Sequence, residues 1–256
     1  MIFLRLFKLE LNLHKLLIFT ILAGLFVFSP SLIVAQGGGP PMLTTDPGTP
    51  GKNHWEINTS LNYHFSTPSN IQIPTTEIVY GIGNHYQVSV QLPMLDVEWN
   101  KSHFTTFTQP QMGIKCQLSD EQKQSISVSV YPQIIIPIQK ETHTQIFIPL
   151  EFEKTFKNFR VGEEIGYFIL SPTIIFNGTI VGYHFKNDLE LMGEFYLSKL
   201  ISQPQSTTGL LNFGVRKQLN HHLVMMSSMG TEIITPYHEE RQYLFGLMGI
   251  QILLGE

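Results

Sequence analysis

Little in this chain could support a disulfide-braced or metal-braced fold. Its only cysteine is Cys116, which excludes an internal disulfide framework and a Cys-x-x-Cys metal site. A lone cysteine within a strand serves most simply as a small apolar residue. Charged residues make up 14% of the chain, well below the roughly 25% of ordinary soluble domains. The net charge of −4 provides no basic face, so no nucleic-acid partner is expected. Alanine is absent beyond Ala35, whereas Phe, Ile, Tyr and Thr are plentiful, a balance that favours strands over helices. Gly37-Gly38-Gly39 precedes prolines rather than a helix, so it is not a phosphate-binding loop. The ten histidines are scattered. His221-His222 falls at a turn, where neighbouring strand side chains face opposite ways, and makes a poor chelate. No metal site, cofactor or catalytic residue is expected.

Long apolar runs are also missing after the first 35 residues. Arg5, Lys8 and Lys15 precede an apolar run from Leu16 to Phe28, and Ile33-Val34-Ala35 offers a small residue for cleavage before Gln36. This reads as a secretory signal over residues 1–35. The competing reading is a single helix anchoring a periplasmic domain. That run is shorter than the roughly 20 residues a spanning helix needs, and Ser29-Pro30 ends it. A membrane-embedded remainder must therefore be a closed barrel, because only helices and barrels satisfy every backbone group in lipid.

What the chain has in abundance is period-two alternation. In the stretch from Ile146 to Leu200, the turns Lys157-Asn158 and Lys186-Asn187 are each flanked by roughly ten strand-like residues. Leu189, Leu191, Phe195 and Leu197 oppose Glu190, Met192, Glu194, Tyr196 and Ser198. Ile148, Leu150, Phe152 and Phe156 oppose Pro149, Glu151, Glu153 and Thr155. The first strand begins near His54, with Trp55, Ile57, Thr59, Leu61, Tyr63 and Phe65 on one face. Later strands are expected to end at turns 83–84, 119–121 and 220–221, and at longer loops 66–72, 95–105, 139–145, 169–173, 202–208 and 235–240. The count is about twelve strands, with short turns and longer loops alternating strictly. A β-sandwich would use shorter strands, around 5–6 residues, and would not sort its turns by length. The expected fold class is all-β, an antiparallel transmembrane β-barrel of residues 54–256 behind a Gly/Pro-rich leader, residues 36–53. Three irregularities remain. Glu163 falls on the apolar face of its strand, Asn177 and Thr179 share a face with Ile175, Val181 and Tyr183, and residues 243–254 are apolar on both faces. A bulge would repair the first two.

The leader and first strand, Gly39-Pro40-Pro41-Met42-Leu43-Thr44-Thr45-Asp46-Pro47-Gly48 followed by His54-Trp55-Glu56-Ile57-Asn58, resemble the opening of the meta-pathway of phenol degradation family of outer-membrane proteins. Glu77-Ile78-Val79-Tyr80-Gly81, Pro149-Leu150-Glu151 and Gly162-Glu163-Glu164-Ile165-Gly166-Tyr167 fit the same family. The resemblance implies a barrel in the bacterial outer membrane that moves small, often hydrophobic or aromatic, solutes. It supplies no catalytic residue.

If the apolar faces meet lipid, Glu56, Glu77, Glu151, Glu153, Glu164, Glu190 and Glu194 line the interior with Lys115, Arg160 and Arg216. Charges at membrane depth are tolerated where they face an interior or a partner. Two readings follow: a plug of ion pairs that stiffens a closed barrel, or an acid-lined conduit for cations and neutral solutes. Tyr131, Phe168 and Tyr196 are the inward candidates for stacking on a solute. Trp55, Tyr63, Phe65, Tyr86, Trp99, Phe104, Phe156, Phe159, Tyr183 and Phe185 sit near strand ends, as an interfacial girdle would. A barrel enzyme acting on lipid or peptide would need a cluster at the outer rim, drawn from His64, Ser66, His103, Glu141, His143 and His238. No spacing singles one out. The expected partners are outer-membrane lipid and a small solute.

Overall fold

Alternation of this kind leaves each strand with one face for hydrocarbon and one for a polar interior, and closing the sheet removes its edges. The computed structural model describes residues 41–65, 70–99, 102–107, 109–121, 124–138, 143–169, 173–202, 207–234 and 244–255. The expected signal, residues 1–35, and leader residues 36–40 lie outside these. Fourteen strands form: β1 (Trp55–Phe65), β2 (Asn70–Gly83), β3 (Tyr86–Trp99), β4 (Ser102–Phe107), β5 (Gln111–Ser119), β6 (Ser127–Val130), β7 (Gln133–Ile135), β8 (Gln145–Phe156), β9 (Phe159–Ile169), β10 (Ile174–Phe185), β11 (Leu189–Leu200), β12 (Thr207–Asn220), β13 (Leu223–Ile234) and β14 (Leu244–Leu254). All neighbours are antiparallel, and β1 pairs with β14 from Trp55↔Leu254 to Phe65↔Leu244, which closes the barrel.

Two staves of the barrel are interrupted. β4 and β5 both pair with β3, and β6 and β7 both pair with β5 and β8. Counting each pair as one stave turns fourteen segments into the expected twelve. Pro132 separates β6 from β7 because it has no N–H for the ladder. Tyr131 N donates to Pro149 O at 3.1 Å and Ile114 N to Pro132 O at 3.0 Å, so the seam stays bonded.

Turn lengths sort by end for most of the barrel. Two residues join β2 to β3, β8 to β9 and β12 to β13, and three join β10 to β11. Lys157 and Asp188 take left-handed φ of 58° and 57° in these turns, as tight hairpin loops require. Most connections at the other end are longer, but β3 turns into β4 across two residues there, and β5 joins β6 across seven at the short-turn end, so the expected strict alternation of short turns and longer loops holds only in part.

Several expected loops are shorter than predicted. β3 runs on to Trp99 and pairs with β4 from Met94↔Phe107 to Trp99↔Ser102, across the stretch 95–105 assigned to a loop. Asp96 and Glu98 break the apolar face there, but backbone pairing does not depend on that face. β2 begins at Asn70 and β12 at Thr207, inside the loops expected at 66–72 and 202–208.

The bulge invoked for Glu163 and for Asn177 does not occur. β10 pairs with β9 and β11 without a register shift, so Glu163, Asn177 and Thr179 all face outward. There they satisfy one another: Asn177 Nδ2 donates to Glu163 Oε1, and Thr179 Oγ1 donates to Glu163 Oε2 at 2.7 Å. Local hydrogen bonding does what a register change was expected to do. In β14, apolar on both faces, the inward Leu253 joins Val224 and Met226 in a small buried cluster.

The polarity of the molecule is inverted. Leu61, Ile114, Ile165, Val181, Leu191 and Phe213 are exposed, whereas Glu56, Lys115, Glu151, Arg160, Glu164 and Glu194 are buried. Trp55 stacks near Tyr80 (centroids 4.3 Å), Phe159 near Tyr183 (4.8 Å) and Tyr183 near Phe185 (4.7 Å), all at the short-turn end. This is the aromatic girdle of a membrane interface. The side chains of Phe65, Trp99 and Phe104 lie outside the described residues. Val181→Arg, in the middle of β10 on the lipid face, should cost about 2–4 kcal/mol in urea unfolding from vesicles. An unchanged stability would mean that this face is not in hydrocarbon.

Candidate functional site

The interior has three levels. Towards the long-loop end, β8, β9, β10 and β11 each turn one aromatic ring inward. Phe147 stacks on Phe168 with centroids 4.5 Å apart and lies 4.8 Å from Phe176, which stacks on Tyr196 at 5.6 Å. Rings at these separations and offsets attract beyond their buried area. Phe176 is almost completely buried, at 2% exposure.

The middle level is polar, and the chain's own leader crosses it. Leu43 N donates to Glu194 Oε2 at 3.1 Å, Thr44 N to Glu194 Oε1, and Thr45 N to Glu164 Oε2 at 2.6 Å. The Thr45 hydroxyl lies against both Glu151 and Glu164, which face each other across β8 and β9. Lys115 Nζ offsets their repulsion from 3.0 Å and also donates to Asp46 O. Ser129 Oγ donates to Glu151. Further along, Met42 packs with Ile180 and Met192, and Ser228 Oγ donates to Pro41 O at 2.8 Å. The leader thus runs from the β5–β8 wall, past β9 and β11, to β13.

Nearer the short turns, Arg160 is the hub. It lies 2.8 Å from Glu153 and 2.8 Å from Glu190, and 4.0 Å from Asp46 of the leader. Three carboxylates around one guanidinium use its fork of donors from several sides. On the far wall, Asn58 Nδ2 donates to Glu77 at 3.1 Å, Gln251 Nε2 donates to Glu56 at 3.2 Å, and Arg216 donates to Gln251.

All ten charged residues singled out from the sequence turn to the interior. Glu151, Glu164, Glu194 and Lys115 come together around the leader, Glu153, Glu190 and Arg160 below it, and Glu56, Glu77 and Arg216 on the opposite wall. The aromatic trio separates. Phe168 and Tyr196 join the ring stack, but Tyr131 sits in the polar level, bonded to Ser89 and beneath Lys115 Nζ, 4.7 Å from its ring centroid. Phe147 and Phe176 were missed, although both share a face with inward residues of their strands. Of the rim candidates, Ser66, Glu141 and His238 lie outside the described residues, as do the side chains of His64 and His103; His143 is exposed.

The middle level depends on paired charge. Lys115→Met would leave Glu151, wholly inaccessible at 0%, without its cation and should cost about 3–5 kcal/mol in unfolding. Lys115→Met with Glu151→Leu should recover most of that loss, measured the same way.

No protein-family model and no curated protein matches the chain. Among solved structures, a KdgM porin aligns with a TM-score of 0.57 at 9% identity, over 77% of this chain and 98% of the porin. A NanC porin aligns with the same score and identity over 79% and 100%. KdgM porin in complex with disordered oligogalacturonate aligns at 0.55, over 78% and 98%. At such identity the likeness is one of fold: this chain has the barrel fold of outer-membrane porins.

Proposed function

We propose that this chain is a bacterial outer-membrane channel for passive movement of small solutes, of the kind its leader motif suggests, the meta-pathway of phenol degradation group. One observation carries the reading. Four aromatic side chains from four adjacent staves, Phe147, Phe168, Phe176 and Tyr196, face the interior instead of the lipid. A barrel that only anchored a structure would place such rings outside, where hydrocarbon costs them nothing. In the long-loop half of the lumen, the half-buried Phe147, Phe168 and Tyr196, packed around the buried Phe176, offer stacking surface to a flat apolar or aromatic solute, with the carboxylates of the middle level below them.

The charge of that lining shapes what could pass. Glu56, Glu77, Glu151, Glu153, Glu164, Glu190 and Glu194 outnumber Lys115, Arg160, Arg216 and the buried Lys217 among these described residues. Rings of carboxylates favour cations and neutral solutes. The solute in one similar porin is oligogalacturonate, a polyanion, and this wall suits such a solute poorly. The reading assigns the barrel no catalysis.

The rival reading, a structural barrel with a stopped lumen, draws on the complete burial of Ser129 and Glu151, paired on adjacent staves, and of Gln251 on another wall. Liposome swelling separates the two. The channel should admit neutral aromatic solutes faster than sugars of similar size, and Phe168→Ala with Phe176→Ala should abolish that preference. Uptake of no solute by any form, including one whose leader is released, would favour the stopped barrel. In planar bilayers, the reversal potential should report cation preference. A marked anion preference would overturn the acid-lined path.

A further inference from the structure

The wall of the barrel is shaped for the leader. A Cβ at Gly178 would stand 2.1 Å from Thr44 Oγ1, and one at Gly214 would stand 2.7 Å from Met42 Sδ. Both glycines sit on inward positions of β10 and β12, and the leader occupies the space their missing side chains leave. Its hydrogen-bond donors are matched as well. Three successive backbone N–H groups, at residues 43–45, meet the Glu194 and Glu164 carboxylates, while the Asp46 carbonyl meets Lys115. Side-chain accidents do not produce such a run. The chain bends at residues 41–44, which turns these consecutive amides toward one wall.

The hold is also incomplete. Thr44 Oγ1 and Asn212 Oδ1 are buried at the contact with no partner among the described residues. Water would supply partners to both if the leader left. Its anchor lies at the short-turn end, where Asn53 N donates to Gly81 O, Gly81 N to His54 O and Thr49 Oγ1 to Asn84 O. Within that anchor the backbone takes left-handed conformations at Gly51 (φ 87°) and Asn53 (φ 63°). The eight residues that precede Thr49, 41–48, reach roughly 26–29 Å when extended. That exceeds the ≈ 25 Å height of a barrel's apolar band, so the segment is long enough to swing clear of the lumen.

We propose that residues 41–46 are a tethered ligand that closes the lumen from the short-turn side, seated in a peptide-binding cradle of Glu151, Glu164, Glu194, Lys115 and Ser228. The channel is shut while they are seated and open when they withdraw. The cradle's chemistry also defines what competes for it: compounds that present successive N–H or O–H donors, peptides first among them, and not polyanions. This rests on the channel reading above.

A reversible cross-link in the full chain tests it. An ideal Cβ at Gly178 lies 3.3 Å from Thr44 Cβ, close to the roughly 3.5–4.5 Å of disulfides. Thr44→Cys with Gly178→Cys, in a Cys116→Ser background, should cross-link under mild oxidation. In planar bilayers the oxidised protein should lose its openings, and a thiol reductant should restore them. Glu164→Gln with Glu194→Gln, which weakens the amide acceptors but keeps the fold's volume, should lengthen the open time. A synthetic peptide of residues 41–50, added from the short-turn side, should block that variant. Failure of the cross-link to form would overturn the seating of the leader. Equal currents from oxidised and reduced protein would overturn the closure while leaving the channel intact. No current from any form, the Gln variant included, would remove the channel reading and this inference with it.

Discussion

A sheet in hydrocarbon has nowhere to place an unpaired backbone N–H or carbonyl, and this requirement organises the molecule. The pairing of β1 with β14 closes the last edge. Closure forces the strands to present one face to lipid and the other to an enclosed space, and period-two side-chain geometry sorts the residues accordingly. The same requirement explains the seam at Pro132. Where the ladder loses a donor, Tyr131 N finds Pro149 O and Ile114 N finds Pro132 O, so the wall remains sealed although β6 and β7 are separate.

Putting charge inside exchanges one problem for another. A carboxylate in an enclosed space must find a cation or donors, or its desolvation is uncompensated. Glu151 has Lys115, Ser129 and Thr45. Glu190 has Arg160, with His184 Nε2 3.4 Å away. Glu194 has Asn212 at 3.0 Å and two amides of the leader. The outward Glu163 meets the same demand by a different route, with Asn177 and Thr179 on the adjacent stave. A carboxylate on the lipid face is costly but not prohibitive when its acceptor sites are filled.

Much of this was legible before any coordinates. Alternation and the sorting of turn lengths gave the barrel, the stave number and the inward direction of Glu151, Glu153, Glu190 and Glu194, because a strand's period is two and does not drift. The irregular places were the hard ones. Asn177 and Thr179 looked like a slipped register because alternation reads polarity, not hydrogen bonds made to another strand. The hairpin of β3 and β4 was hidden because Asp96 and Glu98 break the apolar pattern without breaking the ladder. Tyr131 was grouped with the wrong aromatics because facing inward says nothing about height along the barrel, which is set by register between strands. The threading of the leader was not legible at all. A Gly/Pro-rich segment has no period, and most of its partners in the lumen, Glu151, Glu164, Glu194 and Ser228, are more than 100 residues away in sequence.

The width of the barrel explains why a length of backbone lies inside it. About eight staves leave a core that side chains can fill, and sixteen or more leave a water channel. Twelve lie between these cases, and here a segment of the leader crosses the space, from Lys115 and Glu151 to Ser228. The wall presents more acceptors than donors, since its glutamates outnumber its cations among the described residues. The leader's backbone supplies N–H donors without adding cationic charge. A leader of small and ring-closed residues, Pro41, Thr44, Thr45, Pro47 and Gly48, can lie close to the wall because it brings little side-chain bulk. Gly178 and Gly214 bare the wall at the points of closest approach. The composition of the leader and that of the lumen are therefore two halves of one arrangement: an acceptor-rich wall and a donor-bearing segment of backbone.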